Sequence, residues 1–204
     1  MKNRLILSMT VLLTCMYLSC SSEDYVPPII TDFVTAYTDH AGHICAIADD
    51  RGNRYVTEDT VTMRPDTLYR QIMQYIANSD GYAEIKSRSN VLTIVPKRRI
   101  DKETESDPIF IRSLWVGGGW LNMILEIKAM NKRHRLDVID ESTDSTVVFS
   151  IFHDENGDIR SNTGKAYISV PLGRYKEILS GCDRISVSYV NYDGSVTEMT
   201  VRAE

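Results

Sequence analysis

After residue 28 the chain never runs far before a turn signal interrupts it, and the stretches between are rich in β-branched and aromatic residues. Ile29 to Thr38, His43 to Asp49, Arg54 to Val56, Tyr82 to Ser87 and Val91 to Val95 read as strands. Asp50-Arg51-Gly52-Asn53, Ser79-Asp80-Gly81 and Arg88-Ser89-Asn90 supply the turns between them. The charged stretch Arg98 to Asp107, closed by Pro108, reads as a domain boundary. Beyond it lie Ile109 to Val116, Leu121 to Ala129, Arg135 to Ile139, Val147 to His153, Lys165 to Leu172, Arg184 to Asn191 and Ser195 to Arg202. Seven short strands within about 95 residues predict a β-sandwich, with one helical turn over Arg174 to Leu179.

One segment is ambiguous on its own residues. Between Asp66 and Ile76, apolar Leu68, Ile72, Tyr75 and Ile76 recur at i, i+4, i+7 and i+8, the pattern of an amphipathic helix capped by Asp66 or Thr67. A strand from Gln71 to Ala77 with both faces buried is the rival, and periodicity alone favours the helix.

The first residues carry an address. Lys2 and Arg4 precede an apolar run from Leu5 to Leu18, too short to span a hydrocarbon core that takes about 20 helical residues. Residues 1–19 therefore read as a cleaved signal peptide. Leu18-Ser19-Cys20-Ser21-Ser22 resembles the lipobox of bacterial lipoproteins, which implies acylation of Cys20 and a tether over 20–28. Several acyl chains on one residue anchor a protein stably where a single chain does not. Glu23 and Asp24 resemble an acidic export tag, so the expected location is the outer membrane, on the cell surface or otherwise on its periplasmic face.

Removing the signal leaves 21 cations against 28 anions, a net charge of −7. Nucleic acid is not an expected partner, because the densest basic run, Lys97-Arg98-Arg99, is diluted at once by Asp101, Glu103 and Glu105. Cys15 leaves with the signal and Cys20 takes lipid, so Cys45 and Cys182 remain, expected in separate domains as buried free thiols.

With both halves in view, the chain resembles the NigD-like lipoproteins, in which a lipidated tether precedes a small OB-like barrel and a β-sandwich. The residues that carry the resemblance are Asp107-Pro108-Ile109-Phe110-Ile111-Arg112-Ser113-Leu114-Trp115-Val116-Gly117-Gly118-Gly119-Trp120-Leu121-Asn122. Ile151-Phe152-His153-Asp154 and Tyr167-Ile168-Ser169-Val170-Pro171-Leu172 add to it. The resemblance implies an all-β fold: an OB-like barrel over 29–97, a linker over 98–107 and an immunoglobulin-like sandwich over 108–204. It also implies a strand at Gln71 to Ala77, and the strand is the reading adopted. The family's name points to bacteriocin production or immunity.

Chemistry is harder to find. Gly117-Gly118-Gly119 lacks the Lys-Ser or Lys-Thr of a phosphate loop and reads as a hairpin turn. Trp115 and Trp120 flank it, and if exposed together they form a stacking platform for a sugar. His40, His43 and Cys45 raise the thought of zinc, but no second cluster completes a tetrahedron. Asp154-Glu155-Asn156-Gly157-Asp158 begins like a calcium loop and then departs from it at Ile159 and Lys165. Gly-x-Ser-x-Gly, His-Glu-x-x-His and Cys-x-x-Cys are absent, and nothing pairs His134 or His153 with a nucleophile. Asp59-Thr60-Val61, Asp66-Thr67-Leu68 and Asp144-Ser145-Thr146 match a short O-glycosylation pattern. The expectation is a non-enzymatic protein without metal or cofactor, with lipid on Cys20 and an unidentified protein or glycan partner; a surface glycan-binding module is the alternative.

Overall fold

The computed structural model describes residues 27–98 and 105–203. The signal, the Cys20 anchor and most of the tether lie outside the described residues, as does the middle of the linker. What is described is almost wholly β, in two bodies.

The first body is a sheet of five strands: β1 (Ile30–Thr38), β2 (Ile44–Asp49), β3 (Arg54–Val56), β4 (Leu68–Ala77) and β5 (Ala83–Asn90). Their order is β3-β2-β1-β4-β5. A parallel bridge between Val56 and Tyr82 joins the two ends, with the Val56 N–H donating to Gly81 O at 2.8 Å. Five strands closed in this way form the OB-like barrel. Val34, Ala36, Ile44, Ile47, Met73, Tyr75 and Ala83 fill it.

The strand adopted for Gln71 to Ala77 is present and runs Leu68–Ala77, because the segment is paired on both sides, with β1 and with β5. Met73 and Tyr75 face the barrel core, while Leu68, first of the helix-like stripe, is 58% exposed. Apolar residues on both faces of a central strand imitate helical spacing, and pairing decides between the two. The turn expected at Arg88-Ser89-Asn90 is likewise strand, since these residues continue the ladder with β4 as far as Asn90–Gln71.

The connection from β3 to β4 folds back over the barrel. Met63 packs against its core, its N–H donates to Gly42 O at 2.8 Å, and Asp59 pairs with Arg88 at 2.6 Å. Gly42 has φ +86°, and a Cβ there would sit 2.2 Å from the Met63 carbonyl oxygen, so this position requires glycine twice over.

The second body is a sandwich. One sheet has the order β6-β11-β8-β7 and the other β13-β12-β10-β9. The strands are β6 (Leu92–Thr93), β7 (Phe110–Gly117), β8 (Trp120–Ala129), β9 (Arg135–Asp140), β10 (Val147–Asp154), β11 (Asn162–Pro171), β12 (Arg184–Val190) and β13 (Val196–Arg202). A short helix, α1 (Lys176–Gly181), follows a 3-10 turn in the β11–β12 connection. Leu121, Met123, Leu125, Phe149, Ile168, Ile185 and their neighbours form one apolar core between the sheets.

The boundary differs from the expected one. Residues 92–97 were expected at the end of the barrel, yet Leu92–Thr93 pairs with β11 and Lys97 bridges to Ile139 in the opposite sheet. The barrel is already closed, whereas β11 and β9 each offer a free edge, so this segment laces one open side of the sandwich with Ile94 buried inward. The end of the expected linker is also fixed: the Asp107 N–H donates to His153 O at 2.8 Å. Cys45 and Cys182 are both free thiols, but neither is buried as expected: Cys45 is exposed and Cys182 is half-buried.

Candidate functional site

The two bodies meet at a polar seam built around a tight turn. Asp49 accepts hydrogen bonds from the backbone N–H of Arg51 (3.0 Å) and Asn53 (2.8 Å), and from the Asn53 side chain (2.8 Å). This pins the β2–β3 turn and presents Asp50 to the sandwich. The Asp50 carboxylate accepts from Arg70, from the Trp115 indole N–H at 2.9 Å and from the Asn122 amide at 3.1 Å. Its backbone carbonyl accepts from the Gly118 N–H at 3.2 Å.

Arg70 projects from the outer face of β4 and its side chain is fully buried. Besides Asp50 it reaches Asn122 Oδ1 at 3.0 Å, Ser169 Oγ at 3.4 Å and Thr35 Oγ1 at 3.4 Å. Burial pushes its pKa down and Asp50 pulls the other way. A guanidinium removed from water is tolerable only with its donors occupied. The Trp120 N–H completes the set by donating to Thr35 Oγ1 at 3.0 Å. Phe33 meets Trp115 edge-on at 5.0 Å between centroids, and the Arg70 guanidinium lies 5.6 Å from both the Phe33 and Trp120 rings.

The triple glycine is explained by the same contact. Gly118 and Gly119 have φ +59° and +83°, as a two-residue hairpin loop demands. Gly117 has no such need; a Cβ there would come within 2.6 Å of the Asp50 Cβ. It is glycine so that the barrel can dock.

The two tryptophans, which would form a platform only if exposed together, are half-buried, each with its N–H committed to the barrel. Trp120 alone lines a cleft, of about 500 Å³, together with the β7–β8 hairpin and α1. The network of Asp50, Arg70, Asn122 and Ser169 was not read from the sequence, although an arginine set between Tyr69 and Ile72 was a signal of it.

A second cluster gathers His134, His153 and Asp158. His134 Nδ1 lies 2.9 Å from His153 Nε2, and His134 Nε2 lies 3.1 Å from Asp158 Oδ2. Asp158 also accepts from the backbone N–H of Met130 (2.7 Å), Asn131 (3.2 Å) and Ile159 (2.9 Å), which hold its carboxyl well below the usual range. Burial pushes the His153 pKa down, and its Nδ1 has no hydrogen-bond partner. The would-be calcium loop is stapled from inside: the Lys132 ammonium sits on the carbonyls of Asn156 (3.1 Å) and Gly157 (2.8 Å). Both histidines are thus engaged in holding loops together.

The remaining motifs are dispersed. His40 bonds Asp66 at 2.9 Å, and the Cys45 thiol lies 3.4 Å from Tyr37 O. Among the described residues no cluster of His, Cys, Asp and Glu is arranged to hold a metal. Thr60 and Ser145 are exposed, whereas the Thr67 hydroxyl donates to Pro65 O at 2.8 Å.

Comparison with known proteins agrees with this architecture. The profile of the NigD-like C-terminal beta sandwich domain matches residues 90–203. No curated protein matches the chain in sequence. A NigD-like immunity protein from Bacteroides caccae is 27% identical with a TM-score of 0.68, the match covering 86% of this chain and 93% of that one. A candidate toxin-related protein from Parabacteroides distasonis is 16% identical at TM-score 0.69, covering 87% and 95%. A candidate lipoprotein from Bacteroides fragilis is 8% identical at TM-score 0.64, covering 87% and 99%; these last two speak for the fold alone. Among the described residues no helix is long and apolar enough to cross a membrane. The profile spans more than half of the 204 residues and starts near the point where the chain leaves the barrel for the sandwich, so the chain belongs to the NigD-like family.

Proposed function

We propose that this chain is a non-enzymatic binding protein, held at the bacterial outer membrane by lipid on Cys20, which recognises another macromolecule in bacteriocin immunity or production. The observation that carries the reading is the seam. The buried Arg70–Asp50 pair and the indole donors of Trp115 and Trp120 tie the barrel to the sandwich, and pre-organised surfaces bind at lower entropic cost. The immunity role named for the Bacteroides caccae relative supplies the biological context. A glycan role through Trp115 and Trp120 has less support, since both indole N–H groups are already engaged.

The test is toxin sensitivity of a deletion strain complemented with the wild type or with Cys20→Ala. Wild type should restore resistance to a co-encoded bacteriocin and the unanchored variant should not. A deletion strain with unaltered sensitivity would remove the bacteriocin role, and full rescue by Cys20→Ala would remove the anchor from it.

A further inference from the structure

The barrel shows apolar side chains to solvent at the end where the chain enters it. Pro28 is exposed, and Ile29, one residue before β1, is 58% exposed. β1 is antiparallel to β4 with Ile30 opposite Tyr75, so the start of β1 shares this end of the barrel with half-buried Ile76 and Ala77. Ala77 pairs with Ala83 of β5. Tyr82, exposed just before Ala83, is bridged to Val56, which is 61% exposed. Ile29, Ile76, Tyr82 and Val56 thus collect on one rim. Two acids stand among them, Asp80 in the β4–β5 turn and Glu84, which pairs with Lys86.

We propose that this rim rests on the phospholipid interface of the membrane that holds the anchor, with Ile29, Val56 and Tyr82 as its contact residues. The inference rests on the reading that Cys20 carries lipid, and it adds which face of the barrel meets the bilayer. Ile29 lies nine residues after Cys20, a reach of at most about 32 Å whatever the conformation between them. Contact between a rim held so close and the bilayer is intramolecular, so it needs far less affinity than binding from solution. Tyrosine, an apolar ring with a polar tip, suits a membrane–water boundary, and Ile29 and Val56 add apolar area to bury there. Asp80 and Glu84 oppose anionic headgroups, so contact should be stronger on a zwitterionic bilayer than on an anionic one. Leu68 supplies the control. It is as exposed as Ile29, but it pairs with Tyr37, roughly 23 Å from Ile30 along β1.

Quenching by brominated phosphatidylcholine tests this, with the mature chain held on phosphatidylcholine vesicles by its own lipid or, in parallel, by a histidine tag in place of Cys20 on a nickel-chelating lipid. Ile29→Trp, Tyr82→Trp and Leu68→Trp are each read against the parent chain, in which Trp115 and Trp120 set the background. The emission added at positions 29 and 82 should be lost in brominated vesicles, and that added at 68 retained. Mixing in phosphatidylglycerol should reduce the loss, as should Val56→Glu, an exposed position where folding is spared. Equal quenching at 29, 82 and 68, or none at any of them, would overturn the proposal. So would a tagged chain that sediments as a dimer and is split by Val56→Glu, because the rim would then belong to a second copy. Native protein found unacylated at Cys20 would instead remove the anchor reading, while the tagged chain reports on the rim by itself.

Discussion

The barrel and the sandwich are both β bodies, but they are stabilised differently. Among the described residues, eighteen form the buried core of the sandwich and seven that of the barrel. A unit of about 70 residues buries too small a share of its surface to be safely stable alone. The barrel makes up the deficit with polar devices: the Met63 connection, the Asp49 turn and, above all, the seam. The sandwich supplies Trp115, Asn122 and Ser169 to that seam while its apolar core lies elsewhere. Damage to the seam should therefore fall on the barrel.

The strongest way to break this asymmetry is Asp50→Ala, which leaves Arg70 buried without its anion. A loss of roughly 3–5 kcal/mol is expected, and denaturant unfolding followed by tryptophan fluorescence should separate into two transitions. A single transition at the wild-type midpoint would refute the dependence of the barrel on the seam. Next comes Gly117→Ala, whose methyl would collide with Asp50 and cost about 1–3 kcal/mol by overpacking. Gly119→Ala, with nothing near its Cβ, should carry only turn strain of about 1–2 kcal/mol. Equal effects on the separation of the two transitions would mean that Gly117 is not a docking position.

Met63→Ala should weaken the barrel by about 1–2 kcal/mol, less than the loss of a fully buried methionine because Met63 is half-exposed. Proteolysis between residues 57 and 67 would report it. The mildest probe is pH. His153 is buried with a lowered pKa, so its contribution is fully present above the unfolded-state value near 6.5 and is lost as pH falls below it. Asp158 is depressed as well; its contribution is present above about 3.9 and is lost at still lower pH. Both lie in the sandwich, so weakening between pH 7 and 5 should appear in the sandwich transition, and His153→Leu should flatten that dependence.

Much of the strand layout was legible because its signals are local. Asp193-Gly194 marks the β12–β13 hairpin turn with positive φ at Gly194, whereas Asn156-Gly157, with positive φ at both residues, marks a turn between strands of different sheets. The alternation of β12, buried at Ile185, Val187 and Tyr189, is visible in the sequence itself. The candidate site was legible only in part: Trp115 and Trp120 were singled out, but for a platform that requires both to be exposed. Their barrel partners lie far off in sequence, Asp50 being 65 residues from Trp115 and Thr35 85 residues from Trp120. No local pattern encodes such a pairing.

The sequence by itself determined that this chain would be strands and turns in two bodies, because side-chain alternation and positive-φ glycines act on neighbouring residues. The tertiary structure alone decided that the strand at Gln71 to Ala77 begins at Leu68, that residues 92–97 lace the sandwich, that Gly117 is a docking position and that Arg70 is buried. Each of those outcomes depends on which edges and charges remain unsatisfied once the barrel settles on the sheet, a condition set by packing between distant segments.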